Sequence, residues 1–197
     1  MIIPLGEIGL TALAIQNDEL VAFPTESSYG LGAKASSEAA LERLFDLKRR
    51  ERNKPPPVLI ANLGMLQGLV SEVSPHARLL MERFWPGPLT LVLPAHPQLS
   101  ELLVLDGGVG VRWSPHPVAQ ALVSRAGAPI TATSANPAGR SAAMIAFEVR
   151  NYFGDDLLVL DGGPAGGAPP STVARIKRNG ALEVLRAGAL DPSLLES

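Results

Sequence analysis

The chain has 197 residues, of which 46% are hydrophobic, carries a formal net charge of −2 and contains no cysteine. That is ample apolar material for one large domain, and it excludes intrinsic disorder, a disulfide framework and thiolate chemistry. The apolar runs fall far short of the roughly 18 residues of a membrane span, and the net charge gives no global attraction to nucleic acid or anionic lipid.

In chain order, residues 10–16 carry a helical pattern, and the β-branched apolar run at 20–23 predicts a strand. A helix over 38–49 and a strand over 57–61 follow, then a helix over 75–84 and strands over 89–93 and 109–113. The pattern continues with a helix over 115–125, a strand over 130–133, a helix over 142–152 and strands over 157–160, 172–176 and 182–185. Ser74-Pro75 and Ser114-Pro115 read as helix starts, Ser as the cap and Pro in the first turn, where its missing N–H has no partner to lose. Lys177-Arg178-Asn179-Gly180 reads as a hairpin turn between two antiparallel strands. Alternating strands and helices predict one α/β domain over 1–197 with a mixed sheet. The N-terminus lacks the basic start, apolar stretch and small-residue cleavage site of a signal peptide, so the expected location is cytoplasmic, with no membrane attachment.

With so little net charge, any anion must be bound by a local cluster, and three segments offer one. Phe23-Pro24-Thr25-Glu26-Ser27-Ser28-Tyr29-Gly30-Leu31-Gly32 follows a predicted strand and carries hydroxyls and glycines. By itself it reads as a turn that needs Gly and Ser; it is neither a dinucleotide fingerprint nor a Walker A loop. Lys48-Arg49-Arg50-Glu51-Arg52-Asn53-Lys54-Pro55 concentrates cations at a predicted helix end. Dipole complementarity and a polyphosphate site account for it equally, the following Pro55-Pro56-Pro57 favouring fixed cations. Thr131-Ala132-Thr133-Ser134-Ala135-Asn136-Pro137 again leaves a strand, and also reads as a turn starter. Arg112 lies among apolar neighbours in a predicted strand, where a guanidinium needs an anionic or hydrogen-bonding partner; that partner is either a ligand or a structural carboxylate. His76, His96 and His116 lack metal-ligand spacing, and no metal site is expected in the protein itself.

The order of these pieces carries more than any one of them. Pro24-Thr25-Glu26 with Tyr29-Gly30-Leu31-Gly32, Lys48-x-Arg50 with Lys54-Pro55, and Trp85-Pro86-Gly87-Pro88-Leu89-Thr90 stand in a sequence that resembles the YrdC/TsaC-type threonylcarbamoyl-AMP synthase family. Val111-Arg112 with His116-Pro117, Thr133-Ser134-Ala135-Asn136, Pro170-Ser171-Thr172-Val173 and Leu185-Arg186-Ala187-Gly188 extend the likeness over nearly the whole chain, in the short, single-domain form. The departures are Ser27-Ser28, Glu51, Pro56-Pro57 and Ala142-Ala143, none of which removes a cation or the Ser-x-Asn pair.

The resemblance implies a twisted mixed sheet with flanking helices and a concave, positively charged cavity. It implies synthesis of L-threonylcarbamoyladenylate from L-threonine, bicarbonate and ATP with release of pyrophosphate, the first step of N6-threonylcarbamoyladenosine formation in tRNA. Mg²⁺ is expected with the ATP, and downstream transfer proteins as partners. It implies catalytic roles for Lys48 and Arg50, and ATP contacts from Lys48, Arg50, Arg52, Ser134, Ala135, Asn136 and Arg186. Threonine contacts are implied for Thr25, Tyr29, Arg112, Thr133 and Ser171. The alternative is a protein that binds double-stranded RNA or tRNA on the same basic face, a role in which a threonine pocket is superfluous.

Overall fold

The computed structural model describes residues 1–177 and 180–195. The strands are β1 (Ile2–Pro4), β2 (Val21–Pro24), β3 (Tyr29–Gly32), β4 (Val58–Leu59), β5 (Leu89–Pro94), β6 (Val104–Leu105), β7 (Gly108–Arg112), β8 (Ile130–Thr131), β9 (Thr133–Ser134), β10 (Leu158–Asp161), β11 (Thr172–Ile176) and β12 (Leu182–Arg186). The helices are α1 (Ile8–Gln16), α2 (Glu38–Lys48), α3 (Pro75–Phe84), α4 (Pro117–Ala126) and α5 (Ala146–Phe153). One sheet runs β1-β10-β2-β3-β9; the other runs β12-β11-β5-β7-β4-β8, with β6 paired to β7. Both mix parallel and antiparallel pairs, as the alternating pattern predicts.

The predicted strand over 130–133 is split at Ala132, and the split joins the two sheets. Ile130 and Thr131 pair with β4, whereas Thr133 and Ser134 pair with β3. Between them the Ala132 N–H donates to Pro57 O at 2.9 Å, so the backbone changes sheets without losing a bond. Side chains alternate between two cores along β2. Val21 and Phe23 of β2 point into a core with Ile8, Ala12 and Ile15 of α1 and Val118, Leu122 and Val123 of α4. Ala22 points the other way, into the larger core holding Leu41, Leu44 and Phe45 of α2.

β1, β3 and β6 were not predicted. β1 is three residues long and owes its existence to parallel pairing with β10. β3 reads as a glycine turn in isolation, yet forms a hairpin with β2 from Val21↔Gly32 to Pro24↔Tyr29. Gly32 permits this: a Cβ there would sit 2.9 Å from the Phe23 ring and 3.3 Å from the Ile130 side chain.

Ser74 caps α3 by accepting from Ala77 N–H at 3.2 Å, with Pro75 in the first turn, as predicted. Ser114 does not start α4. His116 occupies that position with Pro117 after it, while the Ser114 hydroxyl accepts from His116 N–H and donates to Glu26. The Lys177–Gly180 link does close β11 onto β12, Gly180 N–H donating to Lys177 O at 2.8 Å; Arg178 and Asn179 lie outside the described residues.

Candidate functional site

The ends of several strands converge at the seam. The β2–β3 turn brings Ser27 and Ser28, the segment after α2 brings Arg50, the end of β7 brings Arg112, the seam brings Thr133 and Ser134, and the start of β11 and end of β12 bring Ser171 and Arg186. Together they line a polar cavity of about 250 Å³. Behind it lies a chamber of about 60 Å³ walled by Thr25, Gly30, Leu59 and Ser114 as well as Arg112 and Thr133. Beside it runs a trough of about 350 Å³ that shares Arg50, Pro57 and Arg186 with the cavity and is otherwise lined largely by apolar groups such as Val92, Leu105 and Val173. A larger open hollow of about 550 Å³ near Arg43 and Phe153 contains none of the candidate residues.

The three arginines are held in different ways. Arg50 donates to Thr133 Oγ1 at 3.1 Å and to the carbonyls of Lys54 and Pro55. Arg186 donates to Ser171 O at 2.8 Å and to its Oγ at 3.3 Å. The Ser171 hydroxyl is itself tied to Thr90 Oγ1 at 2.8 Å. Neither Arg50 nor Arg186 has a carboxylate partner among the described residues. Burial lowers the pKa of both, and for Arg186 the nearby Arg112 charge adds to the effect. Arg112, in contrast, forms an ion pair with Glu26 at 2.6 Å while its Nε donates to Gly87 O at 3.1 Å. The structural carboxylate that a strand-bound guanidinium calls for is therefore present, and Arg112 still faces the cavity.

Thr25, Arg50, Arg112, Thr133, Ser134, Ser171 and Arg186 are thus brought together; five other expected site residues are not. Lys48 was expected at the phosphates. It is 3% exposed, and its Nζ donates instead to the carbonyls of Ser134 and, at 2.7 Å, Asn136. The reason lies in helical spacing: Ala40, Leu41, Leu44, Phe45 and Lys48 form the buried stripe of α2, so Lys48 ends an apolar face. Burial, then the Arg50 charge, pushes its pKa down to about 8. Tyr29 was expected to line the pocket; alternation along β3 sends it into the core, where its hydroxyl donates to Gly163 O at 2.8 Å and burial raises its pKa to about 12. Arg52 turns outward to pair with Glu42 on the exposed face of α2. Ala135 is fully buried, its N–H donating to Tyr29 O at 2.7 Å. Asn136 spends its amide on Pro137 O and Arg140 O, leaving Oδ1 buried without a partner among the described residues.

Sequence reasoning assigned no site role to Glu26 or Thr90, and read Ser114 only as a helix cap. The demand of Arg112 for an anion was the signal that pointed to a carboxylate, but not to which one. Gly188 supports the same corner by close approach. A Cβ there would meet Pro170 O at 2.1 Å and the Ser171 carbonyl carbon at 2.5 Å, both backbone atoms. Gly188→Ala is therefore expected to lower stability by about 1–3 kcal/mol, read by urea denaturation.

A cavity at a two-sheet seam, walled by hydroxyls and three arginines, defines an α/β domain with donors placed where a small ligand could meet them. The chain belongs to the Sua5/YciO/YrdC family: residues 13–188 match its family model, described as "Telomere recombination". Among curated relatives it is 38% identical over 170 residues to the threonylcarbamoyl-AMP synthase of Bacillus subtilis, covering 85% of this chain and 49% of that protein. With the enzyme of the same name from Pyrococcus abyssi it shares 40% identity over 173 residues, 85% of this chain and 50% of the other. It therefore spans about half the length of these two relatives. It covers 86% of the Yersinia enterocolitica threonylcarbamoyl-AMP synthase, at 37% identity over 81% of this chain. The crystal structure of P. abyssi Sua5 complexed with L-threonine superposes with a TM-score of 0.92 at 35% identity, over all of this chain and 60% of that one. Escherichia coli YciO, at 23% identity, shares the fold with a TM-score of 0.84 over 97% of each chain.

Proposed function

We propose that this protein is an L-threonylcarbamoyladenylate synthase that consumes L-threonine, bicarbonate and ATP and releases pyrophosphate, acting in the cytoplasm at the start of tRNA threonylcarbamoyladenosine formation. The observation that carries this reading is the division of the site: two arginines without carboxylate partners border an apolar trough, and a carboxylate-paired arginine borders a hydroxyl-lined chamber. The names of the relatives and the threonine complex of P. abyssi Sua5 support it.

In this reading the trough takes the nucleoside, and Arg50 and Arg186 at its junction with the cavity take the phosphates. Arg112, Thr25, Thr133 and Ser171 face the amino acid. The threonine amine adds to bicarbonate, forming a C–N bond and losing water. A carbamate oxygen then attacks the α-phosphorus as its bond to the pyrophosphate oxygen breaks. Arg50 and Arg186 neutralise the leaving charge by position and electrostatics, without a covalent enzyme intermediate. No cluster of three or more His, Cys, Asp or Glu suited to a metal occurs among the described residues. The lining groups that do fit are hydroxyls, so Mg²⁺ would arrive on the phosphates and supply further charge neutralisation there. Proteins that accept the adenylate belong to the same proposal. None of the described helices is long and apolar enough to cross a membrane.

The test is pyrophosphate release from ATP with Mg²⁺ and bicarbonate, comparing L-threonine, L-serine, glycine and no amino acid. Release that requires both L-threonine and bicarbonate is expected. Salt-sensitive tRNA binding without amino-acid-dependent release would replace this reading with RNA binding.

A further inference from the structure

Among the arginines of the cavity, only Arg112 has a carboxylate partner among the described residues. The Glu26–Arg112 pair is well buried, with side chains 20% and 9% exposed respectively. At its centre is an ion pair whose two atoms make no hydrogen bond among the described residues, and the contacts that flank it are hydrogen bonds. Glu26 Oε1 pairs with Arg112 Nη2 at 2.6 Å, and Oε2 accepts the Ser114 hydroxyl at 2.8 Å. Arg112 Nε is spent on Gly87 O. Nη1 has no partner among the described residues and is the nitrogen left for the cavity that Arg112 lines. The backbone of Glu26 is fixed as well, since Ala168 N–H donates to its carbonyl at 3.0 Å and Gly166 N–H to that of Thr25 at 3.3 Å.

We propose that Glu26 is a positioning residue that locks the Arg112 guanidinium with Nη1 presented to the amino-acid carboxylate. The inference rests on the synthase reading above. It also gives the site a charge logic. A zwitterionic amino acid has no net charge, and a bare guanidinium in its chamber would attract a phosphate of ATP instead. With Glu26 beside it, Arg112 offers one directed donor with its charge largely compensated, while Arg50 and Arg186 keep theirs for the polyphosphate. Glu26 Oε2 holds the Ser114 hydroxyl and Oε1 lies against the Arg112 guanidinium, so Glu26 acts through Arg112 and not on the substrate.

Glu26→Gln keeps the shape and removes the charge; Glu26→Asp keeps the charge on a shorter arm. Three quantities decide the matter: calorimetric affinity for L-threonine and for inorganic pyrophosphate, KM for L-threonine against KM for ATP, and the Arg112 guanidinium NMR signal assigned with Arg112→Lys. In E26Q the threonine Kd and KM are expected to rise about tenfold or more, the loss of an oriented hydrogen bond to a charged group. Pyrophosphate Kd should not rise and is expected to fall, because the uncompensated Arg112 charge joins those of Arg50 and Arg186 in the same cavity. E26D should recover part of the threonine affinity, and the slowly rotating Arg112 signal should vanish in E26Q. An unchanged Arg112 signal, unchanged threonine affinity in E26Q, or parallel loss of threonine and pyrophosphate binding overturns the assignment. Wild-type protein that binds pyrophosphate but no threonine sinks the synthase reading, and this inference with it. Wild type and E26Q binding threonine equally sinks this inference alone.

Discussion

Arg50→Ala is expected to lower threonine-dependent pyrophosphate release by roughly 30- to 1,000-fold, equivalent to about 2–4 kcal/mol of transition-state stabilisation. The guanidinium sits where the polar cavity meets the apolar trough, and no carboxylate among the described residues compensates it. Its field is therefore free for charge developing on the leaving pyrophosphate. The fold should survive, because the bonds lost, to Thr133 Oγ1 and to the carbonyls of Lys54 and Pro55, are exposed or part-buried and lie outside the apolar core. Stability is expected to fall by only about 1–2 kcal/mol. Steady-state kinetics with urea denaturation on the same preparation separates the two effects. Near-wild-type turnover in a folded variant would remove Arg50 from the mechanism.

Lys48→Met is the second large effect, and its origin is structural. The Lys48 side chain bonds the carbonyls of Ser134 and Asn136, and its own carbonyl accepts from Ala138 N–H at 3.0 Å, so one residue clamps the loop that follows the seam. Methionine fills the space and leaves the Asn136 carbonyl unpaired, while Ser134 O keeps the Asn136 N–H at 3.0 Å. A loss of about 1–3 kcal/mol is expected, the cost of orphaning that one carbonyl. Activity should fall with it, since Ser134 lines the cavity.

The same lysine predicts a pH dependence. Its pKa lies near 8 in the fold against an ordinary 10.5, so the unfolded chain holds more protons between those values. Wild-type stability should therefore rise as pH climbs from about 8 towards 10, and a neutral amine still has two N–H groups for two carbonyls. Tyr29 works in the opposite direction. Its pKa is raised from 10 to about 12, so its contribution is intact below 10 and lost across that higher window. Denaturation at several pH values should show the rise in wild type and not in Lys48→Met. A flat wild-type profile between pH 8 and 10 would mean that Lys48 is not buried as described.

The motif order placed Thr25, Arg50, Arg112, Thr133, Ser134, Ser171 and Arg186 in one site before any coordinates, and all seven line its compartments. The same motif reading expects Lys48 at the phosphates, because a cation beside other cations suggests a phosphate ligand; the structure holds its Nζ on the carbonyls of Ser134 and Asn136. The helical spacing from Leu41 and Leu44 already placed it on the buried face. Tyr29 went astray for a related reason: Gly30 and Gly32 signal a turn locally, and only pairing with β2 makes that segment a strand that turns Tyr29 inward.

Composition, apolar periodicity and capping chemistry by themselves determined the α/β class, most strands and helices, and the start of α3 at Ser74-Pro75, because these depend on residues within a turn or two of each other. Only the tertiary structure decided that the segment at 130–134 serves two sheets, that Lys48 closes a loop 86 positions away, and that Glu26 is the carboxylate for Arg112. Each of those is a choice among distant partners. A buried donor or charge fixes the need for a complement, while the packing of the two sheets decides which residue supplies it.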